Sequence, residues 1–294
     1  DTIVVGKNQN PWKECRAGLL ERDGGYLARR LSGGGTVFHD LGNLNFTFIM
    51  SRAAYDLEKQ SGIILTAVQT LGIPAELSGR NDLTVGGRKF SGNAFCFRKN
   101  SAYHHGTLLV ASDLERLTKY LRVPEDKIRS KGIASVRSRV VNLTDYNQAL
   151  TIETMSDALC REFTKVYRGR PTGFRETAQG LDSLDQKLIQ ELYEKYASWE
   201  WRYGEASDFD LEMATRFAWG GVEIGLKLEK GIVTYAAVYS DAMDAEFIGR
   251  LSPLFRGLRL NAPAMAAAIA DADLGAERRP MQAEIGEWLL TKQF

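Results

Sequence analysis

The chain has 294 residues, enough for one large domain plus a small one around a sizeable buried core. Its 44% hydrophobic and 26% charged residues are the proportions of an ordinary globular protein. With 38 basic against 37 acidic residues the net charge is +1, so the overall balance exerts no pull toward nucleic acid or an acidic membrane.

In chain order, Ile3 to Val5 and Asn45 to Met50 read as strands from their β-branched and aromatic content, with a glycine-rich loop between them. The run Ile63 to Leu71 suits a helix ended by Gly72 and Pro74. Phe90 to Phe97 and Thr107 to Ala111 read as extended, and Asp113 to Leu121 as a short helix. Thr151 caps a clearer helix, in which Ile152, Met155, Leu159, Phe163 and Val166 follow a three-four spacing. Leu181, Leu184, Leu188 and Leu192 predict another helix. After Trp201 the polar run Ala206 to Asp210 reads as a linker. Val222, Ile224, Leu226 and Leu228 then alternate strictly, Glu229-Lys230-Gly231 supplies a turn, and Ile232 to Tyr239 completes a hairpin. Helical stretches follow around Ala245–Phe255, Ala264–Ala272 and Met281–Leu290. Strands and helices do not alternate regularly, which argues for an α+β fold and against a doubly wound parallel sheet. The expected division is 1–208 and 209–294.

Cys15, Cys96 and Cys160 are far apart, with no CxxC pair and no disulfide framework, which points to a reducing compartment, the cytoplasm by default. The histidines are His39, His104 and His105, too few for a usual zinc site. No apolar run approaches a membrane span and no signal-peptide pattern appears. The chain opens on Asp1 and enters at once on a strand, so we expect a segment upstream.

Five polar segments stand out. Arg29 and Arg30 precede Leu31, Ser32 and the run Gly33-Gly34-Gly35, followed by Thr36, Val37, Phe38, His39 and Asp40. Three glycines are costly inside a helix or strand, but they let bare N–H groups approach an anion, to which arginines add fork-shaped donors. An ordinary glycine turn beside two solvated arginines is the competing reading. Gly79-Arg80-Asn81-Asp82-Leu83 reads as a turn offering a carboxylate. Gly86 to Gly92 places Lys89 between glycines at the start of a strand, where a solvated hairpin lysine is the alternative. His104-His105 stands at the start of another strand, where adjacent residues face opposite ways. Lys131 to Arg139 is a basic loop with glycine and serine hinges, read alone as a solvated face.

Taken in order, these segments resemble the lipoate–protein ligase A family. Its pattern RR-x-SGGGAVFHDLGN is similar to Arg29–Asn43, with Thr36 where the family usually has alanine. NGRNDL, GRKxSGxA and HHGTLL resemble Gly79–Leu83, Gly87–Ala94 and His104–Leu109, and KGxxSVRSRVxNL resembles Lys131–Leu143. Asn10–Cys15, Ser198–Trp201 and Trp219–Glu223 extend the likeness over nearly the whole chain.

The resemblance implies a mixed or antiparallel sheet in a catalytic domain, with a small α+β accessory domain at 209–294. It implies ATP-dependent activation of lipoate to lipoyl-adenylate, then transfer to a lysine on lipoyl domains of 2-oxoacid dehydrogenase E2 subunits and on the glycine-cleavage H protein. Lys89 becomes the catalytic cation. Arg30, Gly35, Thr36, Val37, Phe38 and Lys89 are implied for ATP, and Lys89, Gly34, Gly35 and His104 for lipoate. Lys131, Gly132, Ser135, Val136 and Arg137 form the implied adenylate loop, a lid over the intermediate, and Asp82 the implied Mg²⁺ ligand. The family normally carries further residues before the position of Asp1 that help complete its sheet and lipoate tunnel. The alternatives are an ATP-independent octanoyl or lipoyl transferase working through a cysteine, and a noncatalytic binder of lipoyl domains or adenylate. The GRGRxGR-type segment of biotin ligases is missing.

Overall fold

The computed structural model describes residues 1–78, 82–122, 140–167, 184–204, 209–292 and 294. They divide into two compact units. The first holds Asp1–Val5, Pro11–Arg29 and Thr36–Arg202; the second holds Gly6–Asn10, Arg30–Gly35 and Tyr203–Phe294.

In the first unit, β1 (Thr2–Val5) lies between β2 (Tyr26–Arg29), parallel to it, and β3 (Val37–His39), antiparallel. The parallel pair is bridged by the short helices Pro11–Glu14 and Ala17–Arg22, the kind of crossover that parallel strands require. A five-stranded antiparallel sheet follows. Its strands are β4 (Asn43–Ser51), β5 (Ala75–Ser78), β6 (Asp82–Val85), β7 (Arg88–Phe97) and β8 (Ser101–Leu109), in the order β4-β8-β7-β6-β5.

Two helices cover one face of this sheet. Leu57–Thr70 starts where the Asp56 carboxylate accepts the Lys59 N–H at 2.9 Å, well before the start that hydrophobic spacing alone suggests. Ile152–Tyr167 starts where Thr151 Oγ1 accepts the Thr154 N–H at 3.2 Å, the cap expected from sequence. Ile64, Val68, Leu83, Phe90, Leu108 and Met155 are fully buried together between helices and sheet. Each such side chain contributes roughly 1.5–3 kcal/mol by leaving water.

Helix Gln186–Ala197 departs from expectation. The Asp185 carboxylate accepts the Lys187 and Leu188 N–H groups, so the helix begins after Leu184, and Leu181 lies outside the described residues. Its leucine stripe stays half-exposed at Leu188 and Leu192.

The second unit contains β9 (Leu211–Phe217), β10 (Gly220–Glu229) and β11 (Ile232–Ser240), antiparallel in the order β11-β10-β9. The hairpin turn has Lys230 at φ 51° and Gly231 at φ 76°, the left-handed geometry that a tight two-residue turn demands. Helices Ala245–Phe255, Ala262–Ala270 and Arg279–Leu290 pack around Ile224, Leu226, Phe247, Leu251 and Ile285. The α+β class with largely antiparallel sheets is therefore the one expected, and in this unit β9 is the strand that the alternation did not reveal.

Candidate active site

Thr84 of β6 pairs with Lys89 of β7, but the next rung joins Leu83 to Ser91. One residue, Phe90, is extra on β7: a bulge, which turns the side chains before it relative to those after it. Lys89 consequently shares the sheet face of Gly92 and Thr107. A Cβ on Gly92 would lie 3.4 Å from Lys89 Nζ and 4.0 Å from Thr107 Oγ1. The absent side chain lets the lysine's carbon chain lie down over the strand. Its ammonium reaches Asp82 Oδ1 at 2.7 Å, with the two side chains 39% and 47% exposed. Asp82 is thus a strand residue, rather than part of a turn; Gly79, Arg80 and Asn81 lie outside the described residues.

The histidine pair falls in the middle of β8, with one ring on each face. His105 pairs with Ala94, which puts it on the face of Gly92 and Lys89. His104 pairs with Phe95 and Phe48 and is fully buried on the opposite face, against Phe46, Phe48 and Phe95. Its ring nitrogens stand 3.0 Å from Gln60 Oε1 and 2.9 Å from Asn93 Oδ1. Burial, with a smaller contribution from His105, pushes its pKa down to about 4. A neutral ring has one donor and one acceptor, so a half-turn of one of the two amides completes the set. The structure thus brings Lys89 together with Asp82, Gly92 and Thr107, and not with His104. Gly92, Thr107 and His105 lie on the lysine's face and were not singled out for the site by sequence reasoning.

The glycine loop divides between the units. Arg30, Gly34 and Gly35 belong to the second, and Thr36, Val37 and Phe38 to the first. Within the second unit the Arg30 guanidinium donates to the carbonyls of Gly33 and Gly35, both at 2.7 Å, stapling its own loop. The Gly34 N–H donates to the Ala242 carbonyl at 3.1 Å, and Gly34 itself takes φ 84°. A Cβ on Gly33 would lie 2.3 Å from the Ala242 oxygen and 2.6 Å from that of Met243, so only glycine fits. Around a Cβ on Gly35 there is open space. In the first unit Phe38 is buried in β3, while Thr36 and Val37 are half-buried.

Asp40 is a structural carboxylate: Oδ1 accepts the Gly42 N–H at 2.9 Å and Oδ2 the Asp113 N–H at 2.6 Å. Lys131, Gly132, Ser135, Val136 and Arg137 lie outside the described residues. Val141 lies beside the lysine, its N–H donating to the Lys89 carbonyl at 3.0 Å. Among the described residues no group of three or more His, Cys, Asp or Glu could hold a metal ion. A half-exposed carboxylate and a half-exposed ammonium, on a face floored by glycine, form a site that can bind and neutralise anions.

Comparison with known proteins places the chain in a family. Residues 1–164 match the lipoyl protein ligase A/B catalytic domain, and residues 206–289 match the bacterial lipoate protein ligase C-terminus. Lipoate-protein ligase A of Psychrobacter cryohalolentis is 41% identical over 254 residues, 85% of this chain and 75% of that protein. P. falciparum LipL1, solved in complex with lipoate, has a TM-score of 0.84 at 29% identity, covering 99% of this chain and 84% of that one. A bipartite ligase from Thermoplasma acidophilum, described with its E2 lipoyl domain, has a TM-score of 0.59 at 29% identity, covering 71% and 83%. A lipoate-protein ligase A bound with ATP has a TM-score of 0.57 at 28% identity, covering 69% and 82%. With both domain models matched in order and a relative at 41% identity over most of its length, the chain belongs to the lipoate–protein ligase A family.

Proposed function

We propose that this protein activates lipoate with ATP to lipoyl-adenylate and then transfers the lipoyl group to a lysine of lipoyl-domain acceptors. The acceptors are E2 subunits of 2-oxoacid dehydrogenases and the glycine-cleavage H protein. The observation that carries this reading is the Lys89 ammonium, half-exposed above bare Gly92, in a family whose members have been solved with lipoate and with ATP.

A carboxylate attacking a phosphate brings like charges together, and a compact ammonium between them lowers that repulsion. In the acyl-transfer step the same group stabilises the developing oxyanion, a role whose loss costs roughly 10²–10³ in rate. The leaving group is already activated by adenylation, so neither step needs a nucleophilic side chain. Burial pushes the Cys15 thiol up to about 11 and also raises that of Cys160, which leaves both poor carriers for a transferase-type acyl intermediate.

Asp82, half-exposed and, among the described residues, outside any cluster of three or more metal-ligating side chains, fits magnesium, which takes one or two carboxylates together with substrate phosphates. Bound there, the ion would neutralise phosphate charge. Arg30, Gly34 and Gly35 with Thr36, Val37 and Phe38 serve the nucleotide and lipoyl head, and Lys131, Gly132, Ser135, Val136 and Arg137 cover the adenylate. Residues 1–208 are the catalytic domain and 209–294 the accessory one. The setting is the cytoplasm, in keeping with dispersed cysteines; among the described residues no helix is long and apolar enough to cross a membrane.

The test is lipoate-dependent exchange of pyrophosphate into ATP. Exchange by the unmodified chain, reduced about 10²–10³-fold in Lys89→Ala, is the expected result. Equal exchange with and without Lys89 would refute its role.

A further inference from the structure

Lys89 does not stand waiting for an anion; it already holds one. Its ammonium lies 2.7 Å from Asp82 Oδ1. The sheet builds this contact in two ways. Leu83 pairs with Ser91, so Asp82 stands at the next rung, beside Gly92, and glycine there leaves room for the lysine chain to cross toward the carboxylate. The bulge at Phe90 turns Lys89 onto the face that Asp82 occupies. In unbroken alternation back from Ser91, with Phe90 taking its place in the ladder, Lys89 would lie on the face of Leu83, opposite that of Asp82.

We propose that Asp82 is the internal counter-ion of Lys89, a positioning residue that occupies the ammonium until the substrate carboxylate takes its place. The proposal rests on the reading of Lys89 as the cation that receives lipoate. Two carboxylates then compete for one ammonium: that of Asp82, tethered on the neighbouring strand, and that of lipoate. The incoming acid must break the ion pair before it can form its own. Asp82 released in this exchange is free to turn to a magnesium ion arriving with the nucleotide, so one carboxylate serves in succession as the lysine's partner and the metal's.

This arrangement makes a prediction of unusual sign, because removing a charged residue from the site should tighten ligand binding. Calorimetric titration of the full chain with lipoate, without ATP and with EDTA present, separates the counter-ion role from the metal role. In Asp82→Asn the competing charge is gone, and lipoate should bind about two- to fivefold more tightly, the worth of a partly exposed ion pair. Asp82→Glu keeps a carboxylate within reach and should restore affinity toward that of the parent. Circular dichroism on both variants, with the conservative Glu rescue, distinguishes a local effect from a folding defect.

Unchanged or weaker lipoate binding in a folded Asp82→Asn would overturn the counter-ion role. Tightening that persists equally in Asp82→Glu would also overturn it, since the charge would then be irrelevant. Lys89→Ala provides the separate check on the underlying reading. If lipoate binds the parent and Lys89→Ala alike, the assignment of Lys89 itself fails, and the counter-ion role falls with it. If Lys89→Ala loses binding while Asp82→Asn matches the parent, only the counter-ion role fails.

Discussion

Replacing His104 by glutamine removes a buried imidazole whose pKa burial has pushed down to about 4 from an ordinary 6.5. The unfolded chain takes up this proton as pH falls through 6.5, whereas the folded chain resists until about 4. The stability that the neutral ring contributes is therefore complete above pH 6.5 and is lost as pH falls toward 4. Integrating the proton difference between pH 7 and pH 5 gives a loss of about 2 kcal/mol from this residue alone. Carboxylates also weaken the fold on acidification, so the informative quantity is the parent minus His104→Gln difference. Urea unfolding at several pH values in this range should show the parent's advantage shrinking by that amount. The imidazole resonance of His104, one of three in the chain, should meanwhile stay that of a neutral ring at pH 5. The reasoning is refuted if that resonance titrates at or above 6.5. Two amide oxygens, from Gln60 and Asn93, would then hold an imidazolium, and the sign would reverse: stability would fall as pH rises.

Two further outcomes follow from close contacts and burial. Gly33→Ala drives a methyl group into the carbonyls of Ala242 and Met243, which are backbone and yield little, so thermal unfolding should reveal a loss of roughly 1–3 kcal/mol. Gly35→Ala, which meets open space, should melt like the parent; equal melting of both variants would refute the loop packing. Iodoacetamide at pH 8, followed by peptide mass mapping, should modify half-exposed Cys96 well before Cys15, whose buried thiol is raised to about 11. Comparable rates at the two would contradict the burial of Cys15.

The elements that sequence made legible are those whose packing writes a period into the chain. Val222, Ile224, Leu226 and Leu228 alternate because one face of β10 lies on the core and the other does not. Helix Ile152–Tyr167 announces both its cap, Thr151, and its inner face around Met155. The elements that sequence concealed are short or lack such a face. β2 and β5 have four residues each and β3 has three, too few to establish alternation. Helix Gln186–Ala197 is the opposite case. Its leucines repeat as a buried stripe would, yet none is buried, so periodicity gave the element and misjudged its burial.

At the site, motif order gave the residue types, but it could not give the face on which each one lies. Counting by twos from Lys89 leads through Ser91 and Asn93 to Phe95, and Phe95 pairs with His104; on that count lysine and His104 share a face. A single extra residue at Phe90 reverses the result. Past the bulge, the face of Lys89 continues through Gly92 and Ala94, whose partners on β8 are Thr107 and His105. No local preference marks this bulge, because Phe90 is an ordinary strand residue that is simply buried at the extra position. The bulge depends on how β6 registers against β7, a nonlocal property of the folded sheet. The same register brings Asp82 to Lys89. A carboxylate-bearing motif and a lysine-bearing motif that look independent in the sequence thus form one charge pair in the fold.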